Sequence, residues 1–137
     1  MTVQVTLSHL SEEEQNAAAV PKANKKDLRK LEVKIRIDDS KGATDRKIEI
    51  PHLPAVIKRY DEARVISGSA FEQNNVGAEA FAISEQSVIF NAGGLDEEAI
   101  RGMFETSYCE VSWRTKDSGR TANRFSIGNL LHVQQEP

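Results

Sequence analysis

Cys109 is the only thiol in the chain and the only side chain that could act as a sulfur nucleophile. It lies in Tyr108 to Thr115, where Cys109, Val111 and Trp113 alternate with Tyr108, Glu110, Ser112 and Arg114. A thiol on the apolar face of a strand behaves as a small hydrophobe with a raised pKa, so the spacing predicts a buried, unreactive cysteine. His9, His52 and His132 are widely separated, and none forms an HxH, HExxH or Cys/His pair with ligand spacing. No metal site is expected from them. His132 is opposite in parity to Leu131 and Val133 and should face solvent or a partner.

Two loops carry residue types that bind ions elsewhere. Asp38-Asp39-Ser40-Lys41-Gly42-Ala43-Thr44-Asp45 gathers three carboxylates around a glycine, but it has no closing glutamate and is flanked by strand patterns, so it reads as a hairpin loop. Asn91-Ala92-Gly93-Gly94 precedes a helical pattern, the place where a phosphate could sit. Asp96, Glu97 and Glu98 already complement that helix end, however, and an anion would meet three negative charges. The glycines read as turn formers. Nothing ties two carboxylates to one cleft for acid and base work. No catalytic residue and no cofactor is expected.

The remaining constellation is basic. From Pro21 to Arg36 the chain carries Lys22, Lys25, Lys26, Arg29, Lys30, Lys34 and Arg36 against Asp27 and Glu32, a local balance of +5. From Ala63 to Ser107 the balance is −5, while the whole chain is −3, so overall charge does not favour a polyanionic partner. Near the C-terminus, Tyr108, Arg114, Lys116, Arg120 and Arg124 fall on the outward face or at the turn of a hairpin pattern. Cations with an aromatic on an exposed sheet can hold single-stranded nucleic acid by neutralising its backbone and stacking its bases. Together, the 22–36 segment and this hairpin define the candidate partner-binding or nucleic-acid-binding residues. Glu110, in the middle of the hairpin face, opposes a phosphate track.

The elements that must position these residues are mostly strands. Leu31, Val33, Ile35 and Ile37 alternate strictly with Glu32, Lys34, Arg36 and Asp38, the pattern of a strand with one dry and one wet face. Lys47 to Ile50 resumes the alternation and predicts a long-looped hairpin with it. Pro54 opens a helix over Ala55 to Ala63 with Val56, Ile57 and Tyr60 on one face. A short strand over Arg64 to Ser67, a loop over Gly68 to Gly77, and two strands over Glu79 to Ile83 and Ser87 to Asn91 follow. Leu95 to Thr106 predicts a second helix with Leu95, Ala99, Ile100, Met103 and Phe104 inward. In the C-terminal hairpin, pairing Val111 with Phe125 and Cys109 with Ile127 demands an odd loop, which Asp117-Ser118-Gly119 supplies with a left-handed glycine. Leu130, Leu131 and Val133 predict a last strand.

The order ββαβββαβββ implies an α+β fold, antiparallel sheets with two helices packed on one side. Residues 1 to 30 read as a polar N-terminal arm, with Ser11 and Glu14 spaced as a capping box, ahead of a single domain over 31–137. A chain of 137 residues is long enough for a self-sufficient core. Its one cysteine suits a reducing compartment, and no apolar run approaches the roughly 20 residues of a membrane helix. The N-terminus lacks the basic and apolar regions of a signal peptide. These features suit a cytoplasmic protein or a virion component. The function expected is non-catalytic binding or assembly, with self-association or a protein partner, as in an accessory or structural protein of a phage, plasmid or bacterial host. The alternatives are single-stranded nucleic-acid binding and a small enzyme.

Overall fold

The computed structural model describes residues 1–18, 20, 22–37, 44–73, 81–115 and 119–134, with the backbone alone at 22–24, 44 and 73. Among these residues the chain is α+β, with eight strands in two sheets and four helices. The five-stranded sheet has the order β4 (Val65–Gln73), β5 (Ala82–Asn91), β2 (Leu28–Ile37), β1 (Thr2–His9) and β8 (Leu131–Val133). The three-stranded sheet has the order β3 (Thr44–Glu49), β6 (Tyr108–Thr115) and β7 (Gly119–Ser126). All pairings are antiparallel except that of β8 with β1.

The alternation of β2 makes it the centre of the fold. Leu31, Val33, Ile35 and Ile37 are buried, while Lys30, Glu32, Lys34 and Arg36 lie on the opposite face. The dry face continues sideways in register: Leu131, Val5 and Val33 form one row, and Val133, Leu7, Leu31 and Val88 the next. Against it pack Ile48, Cys109 and Val111 of the smaller sheet, together with helices α2 (Leu53–Asp61), α3 (Glu97–Met103) and α4 (Ile127–Leu130). Leu53, Val56, Ile57, Ile100, Phe104 and Ile127 complete one contiguous core. Each such buried side chain contributes about 1.5–3 kcal/mol of transfer free energy. α2 packs on β4 and β5, and α3 packs on α2 and α4.

Several expectations are corrected. Within the segment read as a polar arm, Thr2–His9 forms an inner strand between β2 and β8, because Val5 and Leu7 supply a buried row despite the polar residues around them. The capping box does form: Ser11 Oγ accepts from Glu14 N at 3.2 Å, and Glu14 Oε1 accepts from Ser11 N at 3.0 Å, opening helix α1 (Glu12–Ala17). β2 and β3 are not a hairpin. Both edges of β2 are occupied, by β1 and β5, and β3 joins β6 in the other sheet. The loop over 38–43 lies outside the described residues.

Glu79 and Ala80 lie outside the described residues; across the described ones, the two strands expected over Glu79 to Ile83 and Ser87 to Asn91 are one, β5. Its polar Ser84-Glu85-Gln86 keeps the inward parity of Ala82, Val88 and Phe90, and Ser84 is buried. The strand expected to stop at Ser67 runs to Gln73. α2 begins at Leu53 with Pro54 in its first turn, and Tyr60 is exposed rather than inward. In the β6/β7 hairpin the parity is as expected and Gly119 is left-handed at φ 72°, but the register is shifted by two residues. Cys109 faces Phe125, Val111 faces Asn123, and Ile127 leaves the sheet to start α4. Leu130 ends that helix and is exposed; β8 begins at Leu131.

Candidate functional site

The side chains that could do chemistry are largely occupied by structure. Cys109 is 1% exposed, and burial pushes its thiol up to about 12, which leaves it protonated and unreactive. His132 is exposed on β8, as its parity requires, and His52 stands at the N-cap of α2 without a side-chain capping bond. No group of three or more His, Cys, Asp or Glu among the described residues could hold a metal ion. The Asn91–Gly94 segment is a turn in which Asn91 Oδ1 accepts from Gly93 N at 2.8 Å and Gly94 has φ 79°. Arg64 secures that turn, donating to the carbonyl oxygens of Asn91 at 3.0 Å and Gly93 at 2.9 Å. Asp96 Oδ1 caps α3 by accepting from Ala99 N at 2.8 Å.

The basic segment does not form one patch. Lys22 begins a 3₁₀ helix, Lys22–Asp27, and Lys25 and Lys26 line a cleft of about 870 Å³ with His9, Gln15 and Asn16. Arg29 folds onto its own backbone, donating to the carbonyl oxygens of Lys26 and Leu28, both at 2.8 Å. Lys30 pairs with Glu14 at 2.9 Å, and Lys34 with Glu32 at 3.5 Å. The guanidinium of Arg36 stacks on Phe81, 4.6 Å from the ring centre. Lys30, Lys34 and Arg36 therefore lie on the outer face of the larger sheet within a mixed charge pattern.

The hairpin residues lie on the outer face of the other sheet, with the core between the two sets. Among the described residues, the β2 cations and the hairpin cations thus lie on the outer faces of different sheets. Tyr108 is exposed and Arg124 lies over its ring at 4.5 Å, a cation–π pair directly beside Glu110, which faces Arg124 across the ladder. Arg120 donates to Ser112 Oγ at 2.7 Å. Arg114 faces Arg120 directly, an opposition of like charge, and it pairs with Asp45 at 3.8 Å in an exposed pair. Lys116 lies outside the described residues. Arg46, buried at 2% exposure in β3, shares the inward parity of Ile48 and is the one charge that alternation places on the core side of this strand.

Sequence reasoning missed the most distinctive surface. Every residue from Ser67 to Glu72 in β4 is exposed, on both faces of the strand, and Phe71 is 56% exposed. Within the described residues β4 has one strand neighbour, β5, so its other edge presents backbone donors and acceptors. The remaining edges are blunted in known ways. β8 is three residues long, β3 is bulged and carries Asp45, Arg46, Lys47 and Glu49, and β7 carries Arg120 and Arg124. β4 is bulged only between Val65 and Ser67, and Glu72 is its single charged residue.

Compared with known proteins, the chain matches no family model, no curated protein and no solved structure. No helix among the described residues is long and apolar enough to cross a membrane.

Proposed function

We propose that this chain is a binding and assembly module rather than an enzyme, and that it makes its contact through the β4 edge of the larger sheet. One observation carries this reading: six consecutive residues, Ser67 to Glu72, hold strand geometry while exposed on both faces and, among the described residues, paired with a strand on one edge only. Such a strand contributes little burial of its own, and an added strand would satisfy its outward backbone groups. The residues with chemical potential support the same reading because they have structural roles: Cys109 in the core, Arg64 on the Asn91–Gly94 turn, Asp96 at a helix cap. A reducing setting, the cytoplasm or a particle assembled in it, suits the buried single thiol.

Sedimentation of the purified chain over a wide concentration range tests self-association. A mass rising above the 15.2 kDa of one chain is the expected result. A strict monomer at the highest soluble concentration contradicts it.

A second reading, polyanion binding, is favoured by the opposition of Arg114 and Arg120 on an exposed hairpin next to the Tyr108–Arg124 stack. Like charges placed across a ladder are tolerated at a cost that a bound phosphate would relieve. Fluorescence anisotropy with single- and double-stranded oligonucleotides should show affinity falling steeply with salt. An absence of binding to either at low salt removes this reading.

A further inference from the structure

We infer that the occupant of the β4 edge is a second copy of the same strand, paired antiparallel about a two-fold axis at Ala70, so that two five-stranded sheets join into one. This rests on the assembly reading above and specifies its partner and register. The regular part of the β4/β5 ladder runs from Ser67 to Gln73 and is centred on Ala70. A two-fold contact brings the same patch of each copy together, so the strand must be complementary to itself.

β4 meets that condition when Ala70 faces Ala70. Gly68 then faces Glu72, Ser69 faces Phe71, and residues directly opposite share the same side of the joined sheet. The only charged side chain of the strand is set against a glycine, and the two Glu72 carboxylates stay apart. The small residues Gly68, Ser69 and Ala70 at the centre offer no bulk against close strand approach. Phe71 and its copy become diagonal neighbours, about 7–8 Å apart between backbones, within reach of aromatic side chains. The exposed ring thereby gains cover on the outer face. Shifting the axis to Ser69 would move the rings apart and set Glu72 against Ile66, where the bulge interrupts the ladder.

Two variants of the full chain test the pairing. Ala70 is exposed, so Ala70→Lys is compatible with the fold and would set two ammonium groups face to face on the axis. The wild-type chain should sediment as a dimer and A70K as a monomer with an unchanged circular dichroism spectrum, its melting no longer dependent on protein concentration. For the second test, Ala70→Cys is oxidised. Cysteines directly opposite fall within the Cα separation of about 4.4–6.8 Å that a disulfide spans, whereas those of Ser67→Cys would lie about 20 Å from their own copies. Cross-linked dimer from A70C and none from S67C is the expected result, and Cys109 is too buried to interfere. If the wild type is dimeric while A70K remains dimeric or A70C fails to cross-link, this pairing is wrong and the assembly reading stands. If the wild type is monomeric throughout, both fall.

Discussion

The guanidinium of Arg101 donates to the carbonyl oxygens of Gly128 at 2.9 Å and Leu131 at 2.8 Å, and the backbone beside it leaves Gly128 no room for a side chain. A Cβ at position 128 would meet the Arg101 carbonyl oxygen and lie 2.7 Å from Glu105 N and 2.8 Å from Glu105 Cα. These are backbone atoms of the α3 segment, which cannot swing aside. Gly128 N also donates to Phe104 O at 3.0 Å, and Ser126 Oγ donates to Glu105 O at 2.7 Å, so the crossing of α3 over α4 is fixed by hydrogen bonds as well.

Gly128→Ala should therefore destabilise the chain by about 3 kcal/mol, the upper range for forcing atoms into a packed site. Urea unfolding of wild type and variant measures it. Equal midpoints would mean the crossing is looser than described.

Gln86 performs a capping role from a distance. His52 makes no side-chain bond to the start of α2, and Gln86 Oε1 accepts from Leu53 N at 2.6 Å instead. Gln86→Leu leaves that amide without its acceptor next to a buried side chain, and should cost about 1–3 kcal/mol. A variant as stable as wild type would show that water replaces the bond.

Glu14 joins α1 to β2. Its carboxylate accepts from the Ser11 amide and from Lys30 Nζ at 2.9 Å, and these bonds, the backbone one foremost, hold its pKa below the ordinary carboxylate value. Because the folded pKa is the lower one, the stabilisation is present above the unfolded value of about 4.3 and is lost as pH falls through the folded value. Glu14→Gln keeps a capping acceptor but loses the charge that pairs with Lys30, and should cost about 0.5–1 kcal/mol at neutral pH, a difference that disappears in acid. A pH-independent difference would point to the side chain's shape rather than its charge.

Cys109 should resist a thiol-specific reagent such as 5,5′-dithiobis(2-nitrobenzoate) in the native chain and react fully after denaturation. Its thiol is raised by burial to about 12, so stability should also decline as pH rises from the unfolded value of about 8.5 toward that figure. Rapid native labelling would show that the core around Cys109, Val111 and Phe125 opens.

What was legible in the sequence was the facing of residues, and what was hidden was their pairing. The period-two pattern of Leu31 to Ile37 marks a half-buried strand but carries no information on which strands flank it, so Lys47 to Ile50 reads as its hairpin partner although β3 pairs with β6 in the other sheet. Ser84-Glu85-Gln86 looked like a turn because its residues are polar; in the fold Ser84 is tucked under the sheet and Gln86 is used as a cap. The hairpin parity followed from Cys109 and Val111, yet the register slipped because Asn123 is tolerated opposite Val111 and Ile127 is claimed by α4. The β4 edge was the least visible. Gly68, Ser69 and Ala70 carry the small-residue signature of a loop, and their extended form comes from the ladder with β5, including the 2.8 Å contact between the Ser69 and Ser87 hydroxyls. Of the candidate binding residues, the described ones on β6 and β7 share the outer face of the smaller sheet, while those on β2 lie on the outer face of the larger one.

The most direct test of the β4 contact is amide hydrogen exchange, resolved by residue, on the unmodified chain at low and high concentration. Pairing between copies predicts that amides within Ser67 to Gln73 gain protection as concentration rises, while those of β2, already bonded on both edges, stay constant. Exchange in β4 that does not depend on concentration would contradict it.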